Sequence, residues 1–546
     1  MALEREELHL LLDTLHSFCE SNLPLSRRLQ LDATHTYPGD VIESLFGEVG
    51  LHLLFLPENC GGMNGGAYDI YRVSELMARY DLGVATAMLA TFLGTDPIVV
   101  GATDEQKQHW MTRIAEEALV VAYAVTEPSV GSDLGMMKAT AARVMEGDRI
   151  VGYKLNGQKQ FITNGGVAAI TTVLAMAPDG PSFFIVEKGT PGFEPAKPEE
   201  KHGICASNTT AISIEDVFVP VDRLVGGVEG QGLAQAQQVF GYTRLMVAAF
   251  GLGAGVAALD KLVTYSKERV QGGGLLCTKQ AYTHKFIVPH AVRLEAARAY
   301  IDYVAQRIDG GDNDVAIEGA IAKLAATEAG KAAADAAIQG HGGYGYIREY
   351  EVEKIARDVR ITTIYEGTTE ILEWTVARDR WATHLKTRGQ LWRDHAHRMS
   401  VLHGQDPTLG ANLVATSFVA LEHMLEKARE TRLTRHQHIL FRLGELIARA
   451  ETAAIMCRWP LVEQHDPKRV DKEALRAMAR IFARETLAMI TQQSMMWLCA
   501  TSAIETSQAS AWATSLGIDE LWNGYGGLLN DMDRVAQAVL ETDLSA

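Results

Sequence analysis

The stretch Ile364-Tyr365-Glu366-Gly367-Thr368-Thr369-Glu370-Ile371, five residues after Arg357-Asp358, sets one carboxylate beside a glycine in apolar surroundings. Desolvation raises the pKa of such a carboxyl, as a general base for a weakly acidic proton requires. A second stretch, Tyr123-Ala124-Val125-Thr126-Glu127-Pro128-Ser129-Val130-Gly131-Ser132-Asp133, concentrates hydroxyls and backbone amides that can grip a polar ring edge or a phosphate. A capped turn broken by proline would look the same. In Gln160-Phe161-Ile162-Thr163-Asn164-Gly165-Gly166, alternation puts Phe161 and Thr163 on one strand face, an aromatic plate beside a hydroxyl. Phe240-Gly241-Tyr242-Thr243-Arg244 opens a helix, where a guanidinium and free helix-start amides can meet an anion. Gln339-Gly340-His341-Gly342-Gly343-Tyr344-Gly345-Tyr346 has glycines that let a backbone approach a flat ligand closely, or that end a helix.

The elements that must hold these residues follow a helix, strand, helix order. Over 1–120 apolar residues recur at three and four, as in VIESLFGEVGLHLLF, which predicts a helical domain. Over 121–235 short apolar or alternating runs (RIVGYKLNG, ITTVLAMA, SFFIVEK) are separated by turns such as Asn156-Gly157, which predicts antiparallel strands of a small barrel or sandwich. Helical spacing returns over 236–385 in alanine-rich stretches. After the linker His403-Gly404-Gln405-Asp406-Pro407 it continues, and 386–546 is expected to be a separate helical unit.

Composition narrows the class. The 546 residues, at about 150 per domain, allow three to four domains. Fifty-one Lys+Arg against 68 Asp+Glu give −17, which disfavours nucleic acid as a partner. Six scattered cysteines without a Cys-x-x-Cys pair point away from a disulfide framework or zinc site, so a reducing, cytoplasmic setting is expected. No uninterrupted run of about 18 apolar residues is present, and no membrane span is expected. Gly251-x-Gly253-x-Gly255 follows a helical stretch rather than a strand, so it reads as close helix packing and not as a dinucleotide loop. His436 and His438 fall on opposite helix sides, and no metal is expected.

Taken together and in order, the motifs resemble the acyl-CoA dehydrogenase family from about residue 35 to 385: a TEPxxGSD stretch, a strand ending Ile-Thr-Asn-Gly, and a Tyr-Glu-Gly-Thr loop, with LFLPENCGG, ELMARYD and DEQKQHW besides. The resemblance implies a mainly α fold with a middle β-barrel domain between a helical domain and a helical bundle, plus here an extra C-terminal helical domain. It implies FAD held non-covalently, contacted by Tyr123, Val125, Thr126, Phe161 and Thr163 at the flavin. Gln339, Gly342, Gly343, Thr368 and Glu370 would hold its ribityl, pyrophosphate or adenosine parts, and Arg269, Gln271 and Gln280 would reach a FAD across a subunit interface. Ser132, Tyr242, Thr243, Arg244, Gly367 and Arg378 would line the acyl-CoA site or its edge. The implied reaction is α,β-dehydrogenation to a trans-2-enoyl-CoA in fatty-acid β-oxidation, with Glu366 as base, hydride transfer to flavin N5 and electrons passed to electron-transfer flavoprotein.

Some relatives carry the base directly before the arginine matching Arg244; that position is Thr243, which cannot serve. The segment Gly83–Ala90 lacks the cation that decarboxylating members need, so an uncharged acyl group is expected, and Ala85 and Leu89 hint at a longer or bulkier tail. Gly272-Gly273 replaces the Phe-Gly of many relatives, and Phe161 replaces a tryptophan. The extra unit resembles that of very-long-chain members, where it supports dimerisation and membrane association. A homodimer is expected; covering of the bundle face is favoured over lipid binding. The competing readings are an acyl-CoA oxidase, a non-catalytic acyl-CoA or FAD-binding scaffold and, further off, a flavin monooxygenase.

Overall fold

The computed structural model of the protein describes residues 3–312, 314–462 and 470–542, with the backbone alone at 240–242. The chain divides into two compact units. The first comprises Met1–Ala254, Ala305–Ala316 and Glu353–Ile361. It opens with six helices, Arg5–Asn22, Leu25–Thr34, Gly39–Gly47, Ala67–Tyr80, Leu82–Gly101 and Asp104–Glu117. Their starts follow the capping residues: Asp81 accepts from Val84 N, and Thr103 and Gln106 form a reciprocal box at the sixth helix.

Seven strands follow: β1 (Val121–Ala124), β2 (Thr140–Glu146), β3 (Arg149–Thr163), β4 (Ile170–Ala177), β5 (Gly180–Glu187), β6 (Phe193–Pro195) and β7 (Thr209–Pro220). They form one sheet in the order β1-β4-β2-β3-β7-β6, with β5 also paired to β4. Most pairs are antiparallel, but β1 runs parallel to β4, Val121 opposite Ile170. The sheet is buried on both faces. Tyr153, Leu155, Phe184, Ile212 and Val217 fill one side, while Ile98, Trp110 and Ile114 from the helices pack on Val121, Leu174, Phe183 and Ile185 at the other. That two-sided burial is why β4 is buried along nearly its whole length rather than at alternate residues.

The second unit comprises Gly255–Val304, Ile317–Val352 and Thr362–Ala546. Its described helices include Ala316–His341 and Thr369–Thr387, then Gln390–Gln405, Ala411–Thr431, Gln437–Arg458, Lys472–Ala500 and Leu528–Glu541. A Cβ on Gly255 would come within 2.6 Å of Gly330 Cα, so this glycine lets two helices pack closely, as its helical context indicated. Gln437–Arg458 crosses Thr369–Thr387 closely enough that a Cβ on Gly444 would lie 1.9 Å from the Glu373 carbonyl oxygen. Arg480 and Arg484 both donate to Asp531, tying the last helix to Lys472–Ala500.

Leu82–Gly101 and Gly232–Glu268 are each long and apolar enough to cross a membrane, although neither contains an uninterrupted apolar run of that length. Most of each apolar window is packed inside the protein.

Candidate active site

In the first unit, β1 runs into the Thr126 turn and the end of β3 lies beside it, where Gln160 N donates to Thr126 O at 2.9 Å. Beneath this junction is a buried ion pair that sequence reasoning missed. Lys159, fully buried, donates from Nζ to Val125 O at 3.0 Å and to Glu127 Oε1 at 2.9 Å. Glu127 also accepts from Lys138 N and Ala139 N. Burial pushes the Glu127 carboxyl up, but the Lys159 and backbone hydrogen bonds outweigh it and hold the group below its ordinary range.

The ladder between β3 and β7 slips between Lys159 and Ile162, and Phe161 takes φ +59° at the slip. The regular alternation that would set Phe161 and Thr163 on one face is therefore interrupted by a bulge. Phe161 is 65% exposed, an aromatic ring held in a costly backbone conformation with little burial to offset it. Asn164, fully buried with φ +62°, donates from Nδ2 to Ala87 O at 2.8 Å, and its Oδ1 has no hydrogen-bond partner in the protein. Tyr123 and Thr126 are half-buried, Val125 is buried and Ser132 is exposed. Thr243 is buried and donates to Val239 O within its own helix, consistent with a residue that cannot act as base. Arg244 Nη1 donates to Ala316 O at 3.4 Å. The Tyr242 side chain lies outside the described residues.

In the second unit a groove of about 610 Å3 brings together Arg269, Gln271, Gln339, Gly342 and Gly343, five of the residues expected to contact the cofactor. Its wall is aromatic: Tyr265 stacks on His341 with ring centroids 4.3 Å apart, and the Arg269 guanidinium lies 5.6 Å from the Tyr344 ring centroid. Burial pushes the His341 imidazole down, which favours its neutral form. A Cβ built on Gly342 or Gly343 would meet nothing within 4 Å, so the backbone there faces open space along the groove. Gln280 is not in the groove; its Nε2 donates to Asp533 Oδ1 at 3.1 Å, an acceptor shared with His284 at 2.9 Å.

Glu366 lies half-buried on a turn with φ +54°, and Gly367 follows at φ +97°. Thr368 caps the next helix by accepting from Ile371 N, with Glu370 exposed on its first turn. Arg378 lies over Trp374 one turn away on that helix, 4.5 Å from the ring centroid. The fully buried Lys323 donates from Nζ to Gly367 O at 2.7 Å. Farther along the same helix, a cavity of about 620 Å3 is lined by Glu328, Glu370, Glu373, Arg442, Glu445 and Arg449 among others.

Each unit by itself has features that fit part of FAD: in the first, an exposed ring at Phe161 and a buried acceptor at Asn164 without a protein partner; in the second, an open glycine backbone at Gly342-Gly343 beside Arg269. The comparisons point the same way. Residues 5–118, 122–217 and 230–380 match the family descriptions "Acyl-CoA dehydrogenase, N-terminal domain", "middle domain" and "C-terminal domain". "Acryloyl-CoA reductase (NADH)" of Anaerotignum propionicum is 35% identical over 356 residues, 64% of this chain and 88% of that protein. "Acyl-CoA dehydrogenase" of Bacillus subtilis is 36% identical over 354 residues, 64% of this chain and 91% of that protein. The crystal structure of an acyl-CoA dehydrogenase complexed with FAD from Bacillus anthracis covers 98% of this chain and 95% of its own, with TM-score 0.83 and 24% identity, so the whole fold is shared, added helices included. The chain belongs to the acyl-CoA dehydrogenase family, flavoprotein oxidoreductases that act on acyl-CoA.

Proposed function

We propose that this protein binds FAD and dehydrogenates a saturated acyl-CoA to the trans-2-enoyl-CoA, with Glu366 as the base and electron-transfer flavoprotein as acceptor. The observation that carries the reading is Glu366 itself, half-buried on a left-handed turn within the family-matched segment 230–380. Bound FAD supplies the hydride acceptor. Tyr123, Val125, Thr126, Phe161 and Thr163 hold its ring, while Gln339, Gly342, Gly343, Thr368 and Glu370 serve its ribityl, pyrophosphate or adenosine parts. Arg269, Gln271 and Gln280 reach the cofactor across a homodimer interface, Gln280 from a position where its Nε2 also donates to Asp533 Oδ1.

Glu366 takes the proton α to the thioester carbonyl. Its own backbone N–H is oriented by the left-handed turn and stabilises charge developing on the thioester oxygen. Arriving substrate excludes water from the turn, which raises the carboxyl pKa towards the working range. Ser132, Tyr242, Thr243, Arg244, Gly367 and Arg378 line the acyl-CoA path. The helix segment Gly83–Ala90 contains no cation, and Ala85 and Leu89 are small or apolar, which supports an uncharged acyl tail of some length or bulk.

The test is an anaerobic absorbance titration of the yellow protein with saturated acyl-CoAs of increasing length, straight, branched and cyclic. Bleaching of the flavin band by one class is expected; no bleaching across the panel would overturn the reading. The relative named as a reductase favours one second reading, enoyl-CoA reduction, and bleaching by NADH with turnover of an enoyl-CoA would establish it instead.

A further inference from the structure

We infer that Lys323 is a positioning residue for the base, holding the Glu366-Gly367 turn through the Gly367 carbonyl. The inference rests on Glu366 being the base, as proposed above. Lys323 lies on Ala316–His341, among Ala320, Ile321, Ala322, Leu324, Ala326 and Thr327, all buried. A lysine there carries a desolvation penalty of several kcal/mol. Packing does not explain it, because methionine would fill the same channel at similar length without that cost, and such replacements of buried charge are often neutral or stabilising. What lysine adds is a charged donor, and one of its hydrogen bonds goes to the Gly367 carbonyl, 2.7 Å away.

That carbonyl belongs to the residue directly after Glu366. Glu366 and Gly367 are consecutive left-handed residues, at φ +54° and +97°. For glutamate this conformation costs on the order of 1–2 kcal/mol and persists only where surrounding contacts over-determine it. Ala316–His341 supplies two such contacts: Lys323 on Gly367 O, and Glu328, one turn and a half further on, accepting from Thr369 Oγ1 at 2.7 Å. The two bracket the Thr368 cap, so one straight helix sets both ends of the segment that aims the base. A peptide rotation at Gly367 would move the Glu366 side chain and its N–H together, and a misplacement of about 1 Å costs roughly 100-fold in rate.

The experiment compares wild type, Lys323→Met and Lys323→Arg as FAD-loaded protein, measuring bound flavin, acyl-CoA affinity from the flavin spectral shift, and the anaerobic bleaching rate. Lys323→Met should keep its flavin and bind acyl-CoA within about threefold of wild type, yet bleach ~10–100-fold more slowly. Lys323→Arg keeps the charge and a donor and should recover part of that loss. Equal bleaching rates in wild type and Lys323→Met would overturn the inference while leaving the dehydrogenase reading intact; a wild type that never bleaches overturns both. If Lys323→Met does not fold, Lys323→Gln, uncharged and shorter, decides: a slower rate at unchanged affinity supports positioning, and a wild-type rate overturns it.

Discussion

Lys159 Nζ and Glu127 Oε1 are 2.9 Å apart at a point no solvent reaches, and that pair fastens the turn carrying Thr126 to the strand carrying Phe161. Breaking a buried pair leaves one charge uncompensated, which costs about 3–5 kcal/mol. Lys159→Met is therefore expected to lower the melting temperature by several degrees and to release FAD on dilution. The double change Lys159→Met with Glu127→Gln should recover part of the stability; a single variant as stable and as yellow as wild type would refute the role.

Glu366→Gln should retain FAD and acyl-CoA binding, since the amide is isosteric, while the bleaching rate falls ~100–10,000-fold, the usual contribution of a positioned general base. Stopped-flow absorbance measures it, and a rate within threefold of wild type would dismiss Glu366 as base.

Phe161→Gly separates stability from cofactor affinity. Glycine relieves the left-handed φ, worth on the order of 1–2 kcal/mol, and loses about 0.5–1 kcal/mol to a freer unfolded chain. With the ring largely exposed, the apoprotein should melt within a few degrees of wild type. FAD affinity should weaken about fivefold, because a stacked aromatic contributes on the order of 1 kcal/mol. Apoprotein calorimetry and FAD titration read the two effects apart, and undiminished affinity would remove Phe161 from the cofactor site.

Glu373 predicts a pH dependence. Burial, then the neighbouring Glu445 carboxylate, push its carboxyl up to about 7 against the partial opposition of Arg442, with Glu370 and Glu328 adding to the rise. A carboxyl that holds its proton longer when folded than unfolded makes the unfolded state the one with fewer bound protons between about pH 4.5 and 7. Stability therefore falls as pH rises through that window, and the loss is complete above it. Glu373→Gln should flatten the decline in melting temperature from pH 5 to 7; a decline as steep as wild type would assign the proton to another group.

Part of the candidate site can be read from sequence because its motifs are contiguous. Gln339, Gly342 and Gly343 come within one turn of chain, and Arg269 and Gln271 arrive at the same groove from a hairpin. The helix, strand, helix order is legible from periodicity alone. Lys159 and Lys323 are not, since a lysine in sequence reads as a solvated side chain and nothing local marks one that is wholly buried. Nor is the bulge at Phe161, whose register depends on which β7 residues lie opposite, a long-range fact. The hydrogen bond from Gln280 to Asp533 is not legible either, since the two lie 253 residues apart.

That separation has a consequence for the order in which the protein is made. Synthesis runs from N to C terminus, so Gln280 and His284 leave the ribosome long before Asp533 exists to receive them. The segment between Arg269 and Gln280 must wait through nearly half the chain for its last contact. The final helix thus acts as a closing stitch, and a nascent chain halted before it would leave Gln280 and His284 unfastened.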